Sequence, residues 1–325
     1  VVVGNNISTG AGGVRSTVLG SKIIHSGRFT TVIGQNINSN TEHSIVMGED
    51  TTIDGGNYDI SIGGNQNILN SQHTVALGNN IKTSDSLDSL AAGNKATIIK
   101  SRLATAVGEG TSVTDSTASS AFGAGSSIIK ADHSTAVGAG ASVNESNSSF
   151  AGGEKALVTG GYGDIAFGFK STVSNATQST AIGYQSSVTG NSRGMALGTL
   201  ANVTDSYGGT ALGASTSVSS STASSAIGAG SSVTGGSDSS AIGKGASVSG
   251  SKNSTAVGTS ASVTSSYFAL ASGASANVTN GFASSASGNN ASVTDSSYAQ
   301  ADGAGAKVTL SKSATAVGND AIVTN

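Results

Sequence analysis

The sequence has no cysteine, no proline and no tryptophan, and only 10% of its residues are charged. Without cysteine, disulfide bonds and thiolate metal sites are excluded. Low charge and the lack of proline argue against intrinsic disorder, which normally goes with high net charge and abundant proline. The 15 basic residues are balanced by 18 acidic ones, so we expect no nucleic-acid partner. No apolar run approaches the roughly 20 residues of a membrane span.

What the sequence does contain is one short phrase, Ser134–Val143, that returns about every fifteen residues. Glycine accounts for 47 of the 325 residues, and it stands at positions 4, 20, 34 and 48 and then at every fifteenth position to Gly318. We call these the repeat glycines. From Ala76 onward an alanine stands two positions before each of them, and from Ile98 onward an isoleucine or valine stands five positions after.

Each repeat predicts two short strands, one before the repeat glycine and one after it, followed by a longer polar loop. No helical pattern occurs. The sequence therefore predicts an all-β solenoid over residues 1–325, in which coils of about 15 residues stack in parallel. Residues 1–92 form the less regular coils and 93–325 the regular ones. Where an isoleucine follows the glycine after three residues, as in Gly78–Ile81, we expect a shorter first turn and a longer loop.

Alternation along the first strand places the alanine column inside the coil, facing the valine or isoleucine column of the second strand. Ala136 and Val143 are examples. So little apolar bulk per repeat favours further burial against other copies of the chain. The outward column one position before the glycine supplies that surface, and its representative residues are Val137, Phe167, Leu197, Ile227 and Asp302.

The phrase Ser134–Gly138, with its copies Ser179–Gly183, Ser239–Gly243 and Ser254–Gly258, resembles the Ser-x-Ala-x-Gly repeats of YadA-like heads of trimeric autotransporter adhesins. The resemblance covers nearly the whole chain. It implies a homotrimer of left-handed parallel β-rolls, exported across the outer membrane to a bacterial cell surface. It also implies attachment to host extracellular matrix, host cells or other bacteria. The repeat here is slightly longer than is usual in that family, and a neck, a stalk and a C-terminal membrane anchor would lie outside this segment.

Four residues that precede successive repeat glycines by five positions are expected to stack at one outer corner: His43, Tyr58, His73 and Asp88. Such a column is either a solvated loop edge or a polar recognition strip or metal site. Acidic residues elsewhere, such as Asp115 and Asp205, form no continuous ladder, which argues against an array of calcium sites. We expect no cofactor.

Loop aromatics are the second candidate for recognition. Tyr162, Tyr207 and Tyr267 each lie six residues before a repeat glycine, and Phe268, Phe282 and Tyr298 lie nearby. Exposed aromatic side chains favour contact with partners, so they could form an adhesive stripe. They could equally pack beneath their own loops. Near the C-terminal end the outward column becomes polar at Ser272, Ser287 and Asp302. This predicts a hydrated segment along the axis of the oligomer, with ion binding as the alternative.

No nucleophile and base are paired by spacing, and the glycines precede strands, not helices, so no phosphate-binding loop is expected. We therefore expect no enzyme activity. The function that the sequence favours is a non-catalytic adhesin head, a rigid trimeric rod. The alternative is a phage or viral tail-fibre segment, located on a virion. An ice-binding solenoid fits less well, because the column three before the glycine is not a regular threonine array.

Overall fold

A computed structural model describes residues 1–10 and 15–324. The chain divides into two compact units, Val1–Gly163 and Asp164–Asn325. Each unit is built of short strands that pair in parallel with the strands of the next coil, about 15 residues further along, as predicted. Within the described residues there is no helix of the length and hydropathy needed to cross a membrane.

The strands described in the first unit have the following bounds: β1 Val2–Thr9, β2 Thr17–His25, β3 Thr31–Glu42, β4 Ile45–Asn57, β5 Ile60–Gly64, β6 Asn67–Leu69, β7 Val75–Leu77, β8 Lys82–Ser84, β9 Leu90–Ala92, β10 Thr97–Ile99, β11 Thr105–Val107, β12 Ser112–Thr114, β13 Ser120–Phe122, β14 Ser127–Ile129, β15 Thr135–Val137, β16 Ser142–Asn147, β17 Phe150–Gly152 and β18 Leu157–Tyr162.

The strands of the second unit have the following bounds: β19 Ile165–Phe167, β20 Thr172–Thr177, β21 Thr180–Ile182, β22 Ser187–Thr189, β23 Met195–Leu197, β24 Asn202–Thr204, β25 Thr210–Leu212, β26 Ser217–Ser219, β27 Ser225–Ile227, β28 Ser232–Thr234, β29 Ser240–Ile242, β30 Ser247–Ser249, β31 Thr255–Val257, β32 Ser262–Thr264, β33 Leu270–Ser272, β34 Asn277–Thr279, β35 Ser285–Ser287, β36 Ser292–Thr294, β37 Gln300–Asp302, β38 Lys307–Thr309, β39 Thr315–Val317 and β40 Ile322–Thr324.

Each regular coil turns at three corners, and the corner residue has a left-handed backbone conformation. In one coil these are Gly140, Glu145 and Ser148, with φ of 65°, 50° and 55°. The first and second strands form two sides. The predicted polar loop forms a short third side, whose middle residue pairs with the same position of the next coil, as in the bridge between Leu87 and Arg102. The predicted polar loop is present, but it is not free of the stack, because its middle residue pairs with the next coil.

The predicted interior columns are confirmed. Ala136 and Val143 are fully buried, whereas 40% of the Val137 surface is exposed. A third small column, three positions after the repeat glycine, is also buried and includes Ala141. Because the coil is narrow, alanine and valine suffice to fill it at the density of a protein interior.

Two serine columns lie inside the coil at the ends of the third side, four positions before and eight positions after the repeat glycine. Ser134 Oγ donates to Ser146 O at 3.0 Å and accepts from Ser149 N at 3.2 Å. Ser116 Oγ likewise accepts from Ala131 N at 3.1 Å. These hydroxyls satisfy backbone groups that the strand ladder leaves unpaired, which a buried backbone requires. The predicted polar loop thus begins and ends at serines that are part of the core.

The early coils do not have the shorter first turn that was predicted. Ile23 pairs in register with Ile37, and Ile37 pairs with Thr51. The backbone N–H of Lys82, which follows Ile81, donates to Ala96 O as in a regular coil. Instead, the large and the small interior side chains change places within these coils. An isoleucine three positions after the glycine accompanies a polar residue at the fifth position, so the filling of the coil changes while its path does not.

Asp59 replaces an inner serine in the first unit and is fully buried. Its Oδ1 accepts from Thr74 N at 2.9 Å, and its Oδ2 has no hydrogen-bond partner. Gly56 makes room for it, because a Cβ on Gly56 would collide with Asp59 Oδ2. Burial raises the pKa of Asp59 from 3.8 to about 7, although the hydrogen bond from Thr74 and the charge of His73 act in the opposite direction.

Gly138 shows why the repeat position requires glycine. Its φ is +131°, and a Cβ there would lie 2.5 Å from the carbonyl oxygen of Gly153 in the next coil. We expect Gly138→Ala to lower the free energy of unfolding by about 3 kcal/mol or more, since backbone must move to relieve the contact. The matched control is Gly125→Ala, because no atom lies within 4 Å of that Cβ. It should cost about 1 kcal/mol. Urea unfolding measures the free energy of unfolding of both variants. An equal loss of stability in the two would contradict the steric explanation.

Asp59 makes stability depend on pH. Since its folded pKa lies above its unfolded value, the folded chain holds the proton more tightly, and this stabilisation is lost as pH rises from about 4 to about 7. Buried His25, whose pKa is lowered mainly by burial, acts oppositely, because its contribution is lost as pH falls. We therefore compare urea unfolding of Asp59→Asn and the unchanged chain at pH 5 and pH 8. At pH 8 the free energy of unfolding of the variant should exceed that of the unchanged chain by on the order of 2 kcal/mol. At pH 5 the two should differ little. A gain independent of pH would contradict this account.

Candidate functional site

The outward column of the first strands lies at the surface of each unit, as predicted. In the first unit Val137 is exposed, and in the second unit Phe167 is 52% exposed while Leu197 and Ile227 are half-buried. Asp302 is exposed and stands between Ser287 and Val317 in the same column. These side chains thus present an apolar face in each unit. In the second unit this face is interrupted by three polar residues, Ser272, Ser287 and Asp302.

The predicted corner column is present in the first unit and is longer than the sequence analysis proposed. Its central rings stack in order: Phe29 on His43 with centroids 4.9 Å apart, His43 on Tyr58 at 4.7 Å, and Tyr58 on His73 at 5.3 Å. Phe29 was missed, although it shares the spacing of five residues before a repeat glycine and that spacing could have identified it.

Charged groups close both ends of this stack. The Arg15 guanidinium carbon lies 5.5 Å from the centroid of Phe29, and His73 Nδ1 lies 3.2 Å from Asp88 Oδ1. The two inner rings, His43 and Tyr58, each have a neighbouring ring over both faces. The column therefore stabilises its corner through ring-on-ring contacts, each worth about 0.5–1.5 kcal/mol.

A metal site is not formed at this corner. His43 and His73 are separated by the ring of Tyr58, so they cannot ligate one ion together. Over residues 1–10 and 15–324, no three His, Cys, Asp or Glu side chains are grouped as metal ligands would be. The arrangement favours the structural interpretation of the column over the metal-binding one.

The loop aromatics of the second unit form a cluster on the third side of the coil. Tyr267 and Phe282 occupy the middle of that side on adjacent coils, while Phe268 and Tyr298 occupy the neighbouring corner. Phe282 makes edge-to-face contacts with Phe268 at 6.1 Å and with Tyr298 at 5.4 Å. Between 42% and 58% of each of the four side chains is exposed. We call Tyr267, Phe268, Phe282 and Tyr298 the aromatic cluster.

The remaining predicted tyrosines lie outside this cluster. Tyr162, in the first unit, is 54% exposed, and Tyr207, in the second unit, is 53% exposed. Tyr207 is held by Arg193, whose Nη1 donates to the tyrosine hydroxyl at 3.0 Å. A further stacked pair, Phe169 and Tyr184, has centroids 5.4 Å apart. The sequence analysis missed this pair, although both residues directly follow a repeat glycine. None of these rings packs beneath a loop.

A basic group borders the aromatic cluster. Lys252 Nζ lies 5.9 Å from the centroid of Tyr267, a distance at which a cation is attracted to the ring face. Exposed aromatic surface beside a cation is typical of protein recognition sites, whose centres are rich in tyrosine and phenylalanine and poor in acidic residues. The cluster therefore offers an aromatic contact surface with one neighbouring cation and has no arrangement of catalytic groups.

Comparison of the chain with protein-family models and with curated proteins finds no match. The site geometry and the sequence resemblance are therefore the two grounds on which a function can be proposed.

Proposed function

We propose that the chain is a YadA-like adhesin head, a homotrimer of left-handed β-rolls in which the first strands face one another. The apolar outer face of these strands supports the assembly. In the second unit the exposed large apolar members of that column are Phe167, Ile182, Leu212, Ile242, Val257 and Val317. Contiguous apolar surface is uncommon on monomeric proteins, and covering it with two further copies removes it from water.

The aromatic cluster is the observation that carries the adhesive role. Four exposed rings lie together on the third side of the coil and its adjoining corner, not on the strand face assigned to the trimer, and Phe282 contacts two of the others. Each trimer would present three such clusters, so weak contacts with host matrix, host cells or other bacteria would add through avidity. The proposed location is the bacterial cell surface, reached by export across the outer membrane.

The proposed function is non-catalytic. Asp59 and His25, whose pKa values are shifted, are both enclosed in the core. A catalytic group with a shifted pKa normally lies in a cleft that substrate can enter. The aromatic cluster contains no titratable nucleophile besides the tyrosine hydroxyls, which agrees with binding and not with turnover.

The assembly is tested by the mass of the particle in solution. Multi-angle light scattering should give about three times the chain mass of 31.2 kDa. Leu212→Asp with Ile242→Asp places two charges on the proposed contact face and should shift the mass towards the monomer, because buried unpaired charges are costly. Ser219→Asp, on a second strand, is the control and should leave the mass unchanged. A folded monomer formed by the unchanged chain would contradict the trimer.

The adhesive role is tested by replacing three members of the aromatic cluster together: Tyr267→Ser, Phe282→Ser and Tyr298→Ser. Binding to a panel of immobilised matrix proteins and host cells should fall about tenfold or more, as expected when buried aromatic anchors are lost. The control variant is Phe169→Ser with Tyr184→Ser, which removes a different exposed ring pair. Circular dichroism verifies that both variants fold. Equal binding by the cluster variant and the unchanged chain would contradict the proposal.

A further inference from the structure

An open polar groove of about 690 Å³ lies in the second unit, where the third side of the coil meets the corner that follows the second strand. It spans successive coils between Asn175 and Thr222. The groove shares no residue with the aromatic cluster. Its principal side chains are Asn175, Thr177, Ser192, Asp205, Tyr207 and Thr222.

The recess exists because a side chain is missing at one corner. Asn175, Gly190 and Asp205 occupy this corner on successive coils, each with a left-handed backbone conformation. A Cβ on Gly190 would collide with Asp205 Oδ1, so the carboxylate leans into the space that the glycine leaves. The carboxylate of Asp205, which remains exposed, is thereby placed along the groove.

Tyr207 is the only aromatic side chain that lines the groove. Its partners on the preceding and following coils are Ser192 and Thr222, which are too small to cover the ring. Arg193 fixes the ring through its bond to the hydroxyl, and the guanidinium carbon lies 5.8 Å from the ring centroid. Tyr207 thus provides a half-exposed ring that a neighbouring side chain orients before a ligand binds.

The floor of the groove is rigid, whereas its walls carry free polar groups. Asn191 Nδ2 donates to Val203 O at 2.9 Å, and Ser206 Oγ donates to Thr204 O at 2.8 Å. Within the described part of the second unit, the structure gives no hydrogen bond to the side chains of five wall residues: Asn175, Thr177, Ser192, Asp205 and Thr222. These groups remain available to a ligand.

The polar groups that line the groove suit some classes of ligand and not others. One carboxylate without a second acidic or imidazole ligand is insufficient for a metal ion. The same carboxylate repels phosphate and other anions, and the Arg193 guanidinium is bound to the Tyr207 hydroxyl and does not line the groove. Too little apolar surface lines the groove to anchor an aliphatic side chain. Hydroxyls, an amide and a carboxylate beside an aromatic ring instead suit a ligand with many hydroxyl groups and one apolar ring face, which describes a pyranose sugar.

We infer that this groove binds a neutral oligosaccharide, with a sugar ring against Tyr207 and sugar hydroxyls donating to Asp205. Successive coils repeat at about 4.8 Å, close to the length of one pyranose residue, so a linear glycan along the stack meets one coil per sugar. The inference does not depend on the proposed adhesive role of the aromatic cluster, because the two sites share no residues.

The test is titration calorimetry of the full chain with linear tetramers of N-acetylglucosamine and of glucose, after a screen on a glycan array. We expect saturable binding of a neutral glycan. Tyr207→Ser and Asp205→Ala should each weaken it about tenfold, as loss of a ring contact or of a hydrogen bond to a charged group does. Failure of every neutral glycan to bind would overturn the inference, as would a preference for sulfated or phosphorylated glycans.

Matched variants control for indirect effects. Tyr298→Ser removes a tyrosine from the aromatic cluster, and Asp295→Ala removes a carboxylate that already accepts from Asn280 Nδ2 at 2.7 Å. Both should leave glycan affinity within about twofold, while the urea midpoint shows that every variant folds. Equal weakening by test and control variants would overturn the assignment of the site. Retained glycan binding with lost attachment in the cluster variant would separate the two proposals.

Discussion

The close approach of backbone to backbone between coils is the constraint on which this structure depends. Parallel pairing places each residue over the same position of the next coil, about 4.8 Å away. At the end of the first strand the approach is so close that the carbonyl oxygen of Gly153 lies only 2.5 Å from where a Cβ of Gly138 would be. A coil that turns this tightly has a narrow interior, so Ala136 and Val143 fill it. The abundance of glycine, alanine and serine follows from these dimensions.

The same narrowness explains why much of the core is polar. The third side of each coil is too short for a continuous strand ladder, and the inner serines supply the missing hydrogen-bond partners, as Ser134 does for Ser149 N. A hydroxyl satisfies a backbone group at small volume, whereas a buried carboxylate needs extra room and pays a desolvation cost. Asp59 obtains that room from Gly56. It follows that the buried ionisable groups, not the serines, set how stability responds to pH.

The repeat alone predicted the solenoid, the two strands, the inner alanine and valine columns, and the corner column of His43, Tyr58 and His73. All of these follow from stacking like positions at a fixed period. The inner serines could not be recognised, because the same pattern is typical of a solvated loop and only the enclosed corner distinguishes them. Ile81 was misread for a similar reason, since a shifted isoleucine fits a shorter turn as well as an exchange of volume. The contacts of Phe282 depend on residues one position out of register, which a periodic argument does not capture.

Exposure alone does not distinguish a structural aromatic residue from one available to a ligand. Tyr58 and Tyr207 are exposed to almost the same extent, 54% and 53%. Tyr58 stands between His43 and His73, which cover both of its faces. Tyr207 stands between Ser192 and Thr222, which are too small to cover it, and the Arg193 guanidinium lies over its ring at 5.8 Å from the centroid. In a stack of near-identical coils, the side chains of a column of rings cover one another, so their faces are not available to a ligand. Ring faces, carboxylates and recesses become available to other molecules where a column changes residue type, as it does at Gly190.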